Sequence, residues 1–338
     1  ISTVDMNVRP GKGYLDPTKF VAIIMQMLGL ELKHVVIIGL AILGAGWIFL
    51  MYILAWFLGP YTAGLATMLS LNRIYAWINE YSYKTFGYGP KPKIPSLLGE
   101  GGGVRCVCIS DTHSDHQRMQ VPDGDVLIHA GDFTKKGTEE EIREFNRWLG
   151  SLPHRHKVVI SGNHDLTLDS EFYETNWHKW HKTKQNSQRA KKLLTNCVYV
   201  ENQLVTVQGI RILASPEQPI IPGKKWAFNR TEAELKTHWE EFLPENSNVD
   251  ILLTHAPPYK ILDRIIVGKS VGDKHLLEGI RRSKPKFCIF GHVHESYGVL
   301  VDSLSGCVCI NASSCTILGQ ALHQPIVFDI RPSVVPAN

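Results

Sequence analysis

Residues 104–113 read VRCVCISDTH, a short apolar run that is followed directly by an aspartate and a histidine. Similar runs, rich in Val, Ile and Cys, recur downstream as DVLIHAG (125–131), KVVIS (157–161), GIRILAS (209–215), DILLTHA (250–256), KFCIFG (286–291), CVCINAS (307–313) and PIVFDI (325–330). Short apolar runs bounded by Gly, Asp or Pro predict buried β-strands. Polar helical segments separate these runs, which predicts a layered α/β domain over residues 104–338.

Two of the predicted helices begin with the same signature. Glu141 follows Thr138 by three residues, and Glu234 follows Thr231 in the same way. In such a capping box, the threonine hydroxyl and the glutamate carboxylate each bond to a backbone N–H group that the helix leaves without a partner. The sequence therefore predicts helices that begin directly after residues 138 and 231.

Five of the predicted strands end in residue types that commonly bind metal ions. In chain order these ends are Asp111-Thr-His113, Gly131-Asp132, Gly162-Asn163-His164-Asp165, Thr254-His255 and Gly291-His292-Val-His294. Residues two apart on an extended backbone point to the same side, so Asp111 and His113 are expected to aim at one point. His292 and His294 have the same spacing, so they are also expected to aim at one point. One such motif is common by chance, whereas the ordered set at strand ends is specific and suits two divalent ions.

This ordered set resembles that of the calcineurin-like metallophosphoesterases. Wider stretches are similar to the metallophosphoesterase-domain-containing subgroup of that family, namely SDTHS, GDVLIHAGDFT, FNRWLGSLP, WAFN, GHVHESYG and INASSCT. The resemblance covers roughly residues 104–329 and leaves out the N-terminal third. It implies a calcineurin-like four-layer sandwich of two mixed β-sheets flanked by helices.

The resemblance also implies a role for each residue of the set. One ion would be held by Asp111, His113 and His294, and the other by Asn163, His255 and His292. Asp132 would bridge the two ions. His164 matches the general acid of the family and Asp165 follows it where the family has an acidic residue, so both are expected to be catalytic. Mixed Asp, Asn and His ligands suit Mn²⁺, Fe or Zn²⁺, and suit Mg²⁺ less well.

The chemistry of such a site can be argued independently of the family. Two cations about 3.5–4 Å apart, bridged by a carboxylate, lower the pKa of a shared water and supply hydroxide near neutral pH. That metal-bridging hydroxide would attack phosphorus in line while His164 protonates the leaving alkoxide. The sequence therefore predicts a two-metal phosphoester hydrolase, in particular a phosphodiesterase, whose substrate is a small phosphoester or a nucleotide.

Three further residues are candidate substrate contacts. His116 lies in the loop after the first ligand pair, and Trp226 and Asn229 lie in the segment WAFN. An exposed loop histidine explains His116 equally well. A buried aromatic turn explains Trp226 and Asn229 equally well.

A second class of function stays open, a membrane-tethered nucleotide-binding or scaffold protein with weak turnover. Other classes are disfavoured. The motifs lack the arginine phosphate clamps expected of a protein phosphatase. The chain has 36 basic and 32 acidic residues, a net charge of +4, which gives no reason to expect specific nucleic-acid binding. The sequence leaves the oligomeric state open.

The N-terminal third differs in character from the rest. Residues 35–58 read VVIIGLAILGAGWIFLMYILAWFL, and their 24 residues would form a helix of about 36 Å, enough to cross a hydrocarbon core of about 30 Å. They predict a transmembrane helix, with the lipid bilayer as a partner. Residues 1–34 are interpreted as a polar or interfacial segment and 59–103 as a juxtamembrane region with a Pro- and Gly-rich linker. Whether 61–72 form a second membrane segment stays open.

All seven cysteines follow this N-terminal third. The C-x-C pairs at 106/108 and 307/309 lie inside apolar strands and have the wrong spacing for a zinc ribbon, so they are interpreted as buried thiols. An odd number of cysteines without a disulfide framework favours a reducing compartment. The resulting prediction is a single-pass membrane protein with its catalytic domain in the cytosol.

Overall fold

The computed structural model describes residues 103–332, apart from 222, 224, 246, 266–267 and 317–318. The described strands are β1 (Val104–Ile109), β2 (Val126–His129), β3 (His156–Val159), β4 (Val198–Tyr199), β5 (Gln203–Val207), β6 (Ile210–Ser215), β7 (Gln218–Pro219), β8 (Asn229–Arg230), β9 (Ile251–Thr254), β10 (Phe287–Phe290), β11 (Gly298–Val301), β12 (Val308–Asn311) and β13 (Ile326–Ile330). The described helices are α1 (Glu139–Ser151), α2 (Ser170–Asn176), α3 (Ser187–Lys192), α4 (Glu232–Phe242) and α5 (Lys274–Ser283). Every strand predicted from the sequence is present.

Two mixed sheets form the centre of the fold. The first has the order β13-β1-β2-β3-β4, in which β1 to β4 are parallel and β13 runs antiparallel to β1. The second has the order β11-β12-β10-β9-β6-β5, in which the four inner strands are parallel and both edge strands are antiparallel. A short pair, β7 and β8, is separate from both. The carboxyl ends of β1, β2 and β3 therefore share one edge of the first sheet, and those of β9 and β10 share one edge of the second.

The apolar residues divide into layers that follow the strand periodicity. Cys106 and Cys108 of β1 pack with Ile251 and Leu253 of β9 in a core that joins the two sheets, as expected for buried thiols. The alternate residues of β1 and β2 face α1 in a second cluster, and those of β9 and β10 face α4 and α5 in a third. Because strands covered on both faces bury every side chain, their sequences read as continuous apolar runs. The prediction of two mixed sheets flanked by helices is confirmed.

The two predicted capping boxes are both present. The Thr138 hydroxyl accepts a hydrogen bond from the Glu141 N–H, and the Glu141 carboxylate accepts one from the Thr138 N–H, at the start of α1. Thr231 and Glu234 make the same reciprocal pair at the start of α4. These caps place the beginning of each helix where the sequence predicted it.

The predicted single-pass membrane localisation is contradicted. Within residues 103–332, over the positions that the structure describes, no helix is long and apolar enough to span a bilayer. The described helix α1 has 13 residues, about 20 Å, and an exposed polar face, whereas a hydrocarbon core is about 30 Å thick. The apolar interval 35–58, together with 1–34 and all but the last residue of 59–103, lies outside the described residues. The boundaries proposed for those segments stay predictions.

Candidate metal centre

The loops that follow five parallel strands bring the predicted ligand residues together. The first sheet supplies Asp111 and His113 after β1, Asp132 after β2, and Asn163 after β3, and the second sheet supplies His255 after β9 and His292 and His294 after β10. Residues from both sheets approach one another across the sandwich. The candidate centre therefore lies where the carboxyl ends of the two parallel cores meet, the position where sites commonly form in α/β sheets.

The first ligand group consists of Asp111, His113 and His294. Their candidate ligand atoms all lie within 4.8 Å of one another. The Nε2 atoms of His113 and His294 are 3.2 Å apart, and Nε2 of His294 is 3.3 Å from Oδ1 of Asp111. Two imidazole nitrogens and a carboxylate oxygen thus point at one small volume.

The second ligand group consists of Asp132, His255 and His292, whose candidate atoms also lie within 4.8 Å of one another. Nε2 of His255 is 3.2 Å from Oδ1 of Asn163 and 3.4 Å from Oδ2 of Asp132. The same Oδ2 atom is 3.8 Å from Nε2 of His113, which belongs to the first ligand group. One carboxylate oxygen therefore lies between the two groups, at the position that the family resemblance implies for a bridging ligand.

The outer nitrogens of the histidines show that the donor set suits metal ions. Nδ1 of His113 lies 3.3 Å from the Thr134 carbonyl oxygen, and Nδ1 of His255 lies 2.8 Å from that of Ala130. Nδ1 of His294 makes the same contact with Thr316, at 3.1 Å. Because a carbonyl oxygen only accepts, Nδ1 carries the proton in each pair and the Nε2 lone pair faces the ligand group in the neutral ring. This arrangement is typical of metal-bound histidines.

The charges at the centre also favour cations. Burial alone would raise the pKa of Asp132, but the imidazoles of His255 and His164 hold that pKa well below its usual range. Burial lowers the pKa of His113 to about 4 and that of His292 to about 3, so both rings are neutral at pH 7. Burial also disfavours charge on His255, yet the Asp132 carboxylate raises its pKa to about 9. The Asp132 carboxylate thus remains ionised and attracts positive charge to this point.

Four of the seven ligand residues have a left-handed backbone. The φ angle is 50° at Asp111, 40° at His113, 55° at Asp132 and 69° at His292. Such angles are uncommon outside glycine and cluster at functional sites. Asp111 and His113 do share a group, but through this tight turn after β1, so the extended geometry assumed from the sequence was wrong. His292 and His294 do not aim at one point, because they belong to different groups.

Two glycines allow the close approach of the ligand loops. A Cβ atom added at Gly162 would press against Oδ1 of Asp132 and lie 2.5 Å from Cε1 of His255. One added at Gly291 would press against the Asp111 carboxylate. No side chain fits at either position unless the ligands move.

His164 forms a third possible ligand group with His113 and Asp132, and it also lies against an aromatic wall made by Trp226 and Trp180. Its backbone N–H donates to Oδ1 of Asp132 over 2.7 Å, and its ring centroid is 4.6 Å from that of His113. Its Nδ1 donates to the Lys135 carbonyl oxygen over 2.9 Å, which leaves Nε2 to face a ligand. The other side of the ring contacts Trp226, with centroids 4.4 Å apart, and Trp226 in turn contacts Trp180. The structure therefore places Trp226 next to His164, and its role as a substrate contact stays a prediction.

The side chain of Asp165 holds the loops rather than the ring of His164. It is buried, and its two oxygens accept hydrogen bonds from the N–H groups of Asp132, Thr134 and Gly162 and from the Thr134 hydroxyl, over 2.7 to 2.9 Å. These bonds tie the loop after β2 to the loop after β3. The contacts indicate that Asp165 orders the ligand loops, which differs from the chemical role predicted for it.

Two of the three predicted substrate contacts are placed differently from expectation. His116 is only 1% exposed, and its ring packs 5.0 Å from Trp148 and 5.7 Å from Phe145. Its burial under α1 contradicts the alternative interpretation of an exposed loop histidine, and the substrate contact stays a prediction. Asn229 accepts a hydrogen bond from the Trp226 N–H and donates one to the Pro219 carbonyl oxygen, so it shapes the turn that carries Trp226.

Sequence reasoning missed several residues that support the centre. The Ser313 hydroxyl donates to Oδ2 of Asp111 over 3.0 Å, and the Asn311 amide donates to the Val293 carbonyl oxygen between His292 and His294. Both follow or end β12, the neighbour of β10 in the sheet. The only sequence signal was their place at another strand end, in INASS. The Lys135 carbonyl oxygen that orients His164 has no side-chain signature at all.

Comparisons with known proteins agree with this geometry. The sequence profile described as calcineurin-like phosphoesterase matches residues 104–296. The chain is 43% identical over 239 residues to metallophosphoesterase domain-containing protein 1 of Homo sapiens, covering 68% of this chain and 72% of that protein. The Mus musculus protein of the same name gives the same values. A Caenorhabditis elegans protein, UPF0046 protein K07C11.7, is 38% identical over 228 residues, covering 67% of this chain and 75% of that protein.

Proposed function

This chain belongs to the calcineurin-like phosphoesterase family, and on that premise we propose that it hydrolyses phosphodiesters with two bound divalent metal ions. The observation that carries the proposal is the position of Asp132, with one carboxylate oxygen between His113 of the first ligand group and His255 of the second. A single metal site would need only one of these groups. Two groups that meet at one carboxylate are the arrangement expected of a two-metal hydrolase.

Each ligand group has a defined part in this proposal. The first, Asp111, His113 and His294, would hold one ion, and the second, Asp132, His255 and His292 with Asn163, would hold the other. Bound divalent ions supply an activated water as the nucleophile and neutralise charge on the phosphoryl oxygens. The imidazole-rich donor set supports Mn²⁺, Fe or Zn²⁺ rather than Mg²⁺.

His164 supplies the proton for the leaving group in the proposed reaction. Its Nδ1 is occupied by the Lys135 carbonyl, so Nε2 is the atom that can donate to an ester oxygen. Its backbone N–H is bonded to Asp132, which fixes the ring beside the ligand groups. An imidazole is suited to this task because its ring nitrogens can both donate and accept a proton.

The aromatic wall supports a diester substrate. A phosphodiester carries two organic groups and one negative charge, whereas a monoester carries one organic group and up to two charges. Trp226, next to His164 and backed by Trp180, offers apolar surface close to the reacting atoms. The organic group that leaves can rest against this wall while His164 reaches its oxygen.

The proposal is tested by turnover of the full chain after chelation and reloading with Mn²⁺. We expect hydrolysis of bis(p-nitrophenyl) phosphate with a higher kcat/KM than that of p-nitrophenyl phosphate. A higher value for the monoester would replace the diesterase with a phosphomonoesterase. Metal binding without turnover of either compound would overturn the hydrolase and favour a nucleotide-binding or scaffold role.

We also expect the chain to bind two Mn²⁺ ions and to unfold at a higher temperature with them. An ion at a hundred times its Kd stabilises the native state by about 2.7 kcal/mol, which corresponds to a rise in Tm of roughly 5–10 °C for a domain of this size. Calorimetric titration gives the stoichiometry. His113→Ala and His292→Ala, one from each ligand group, should each leave one ion, and a wild-type stoichiometry of one would contradict the two-metal site.

A further inference from the structure

The carboxylate of Glu141, in the first turn of α1, accepts an unusual number of hydrogen bonds. Its donors are the N–H groups of Lys135, Lys136 and Thr138 and the hydroxyls of Thr138 and Ser114, at 2.9 to 3.3 Å. Burial opposes its ionisation, yet the bonds from Thr138, Lys135 and Ser114 lower its pKa below the ordinary value. Glu141 is therefore a charged acceptor that binds the backbone of the loop before α1 and the Ser114 hydroxyl of the loop after β1.

A helix cap explains only part of this arrangement. The other capping box of the domain, at the start of α4, uses Glu234 in the same position, and that carboxylate accepts bonds from the N–H and hydroxyl of Thr231 alone. Glu141 makes the equivalent two bonds to Thr138. It then takes three more, from Lys135, Lys136 and Ser114, that a cap does not require.

The additional bonds lead directly to the candidate centre. The Lys135 N–H donates to Oε1 of Glu141 over 2.9 Å, and the carbonyl oxygen of the same residue accepts from Nδ1 of His164 over 2.9 Å. The side chain of Lys135 is exposed, so its backbone bonds rather than its packing hold this residue in place. Ser114, the other extra donor, directly follows His113 of the first ligand group and has a left-handed backbone.

We propose that Glu141 is a positioning residue for His164, acting through the backbone of Lys135 and Lys136 to set the ring orientation of the proton donor. This inference rests on the proposed function. A carboxylate that accepts on both oxygens fixes where the Lys135 carbonyl lies, and that carbonyl determines which nitrogen of His164 carries the proton and where Nε2 points. A proton donor displaced by about 1 Å loses much of its rate advantage.

Glu141→Gln is the direct test, because the amide keeps the shape but turns one acceptor into a donor. Whichever way the amide lies, its NH₂ group faces at least two of the five donors. Gln at position 234 can keep both bonds to Thr231 through one oxygen, so Glu234→Gln is the matched cap control.

Two substrates distinguish a misplaced proton donor from a general loss of activity. The leaving group of bis(p-nitrophenyl) phosphate is a stabilised phenolate that needs no proton, whereas that of adenosine 3′,5′-cyclic phosphate is an alkoxide that does. With Mn²⁺ saturating, Glu141→Gln should lower kcat for the cyclic compound about 10- to 100-fold and for the p-nitrophenyl ester less than about threefold. Glu234→Gln should stay within about twofold on both. Equal losses on the two substrates, or no difference between the two variants, would overturn the inference.

A double-mutant cycle supplies a second, independent criterion. His164→Ala should show the same selective loss of kcat on the cyclic compound. Adding Glu141→Gln to it should lower kcat no further, since the side chain being positioned has been removed. Additive losses would overturn the inference.

Glu141→Asp, one methylene shorter, takes the place of Glu141→Gln if the latter fails to fold. It should show a smaller loss of kcat with the same preference for the cyclic compound. If the wild type hydrolyses neither compound with metal bound, the proposed function itself fails, an outcome distinct from a wild type that is active and insensitive to Glu141.

Discussion

Replacing Asp132 with asparagine is expected to lower kcat/KM for bis(p-nitrophenyl) phosphate by about 10³-fold or more. Oδ2 of Asp132 lies between His255 and His113, and Oδ1 accepts from the His164 N–H. Asparagine has only one side-chain oxygen, so it can replace the acceptor that faces His164 or the one that faces the ligand groups, but not both. If its oxygen accepts from His164, its NH₂ group faces both ligand groups, where it repels cations. The change is nearly isosteric, so the loss reflects charge and lone pairs rather than packing.

A buried aspartate elsewhere provides the matched control. Asp302 is also buried, and it pairs with Arg281 in a region fixed by α5 and the turn between β11 and β12. Asp302→Asn should lower stability modestly and leave kcat/KM within about twofold. The number of bound Mn²⁺ ions, measured alongside the rate, should fall from two only in Asp132→Asn. Wild-type turnover by Asp132→Asn would refute the bridging role.

The second large effect is expected from a single methyl group at Gly162. In Gly162→Ala the new Cβ atom would press against Asp132 and lie 2.5 to 2.6 Å from the His255 imidazole, well inside van der Waals contact. To relieve the clash, the loop after β3 must move away from the loops after β2 and β9. A displacement of about 1 Å at the reacting atoms can cost about 10²-fold, and here two ligands move at once. We therefore expect a loss of about 10²- to 10³-fold in kcat with weaker metal binding.

The control for this substitution is Gly279→Ala in α5. There the added Cβ would be 3.0 Å from a Leu243 methyl group, which can shift, and alanine favours the helix by about 1 kcal/mol over glycine. Gly279→Ala should keep full activity and a Tm close to that of the wild type. If Gly162→Ala binds two ions and turns over normally, then the ligand loops tolerate more separation than their contacts suggest.

The fold was largely predictable because its central strands are buried on both faces. Such strands read as continuous apolar runs, and all eight predicted runs are strands. The two capping boxes were equally clear, because a threonine and a glutamate three residues apart satisfy a local requirement. Five of the described strands were missed. The strands β4, β7 and β8 have two residues each, too few to show a period, and β5 and β11 are partly exposed edge strands that do not read as apolar runs.

The candidate site was predictable only where its residues follow strands. The seven candidate ligand residues were identified because strand ends converge. The left-handed backbone of four of them was not predicted, since nothing in Asp111 or His113 as residue types requires it. His116 was misplaced because a loop position does not reveal the helix packed over it. The hydrogen bonds of the Lys135 backbone to Glu141 and His164 could not be predicted, because backbone groups are the same in every residue and their partners depend on the tertiary fold.

The candidate ligands come from two different sheets, and this links metal binding to the closure of the sandwich during folding and its opening during unfolding. In the first ligand group, His113 and His294 come from different sheets and lie 181 positions apart in the chain. Neither sheet alone can present a complete group, so a tight site forms only when the sandwich closes. We expect that step to come late in folding, because its contacts are so distant in sequence. Bound ions should then act mainly on unfolding. They should slow unfolding, because the sheets cannot separate without losing them, and leave the folding rate almost unchanged.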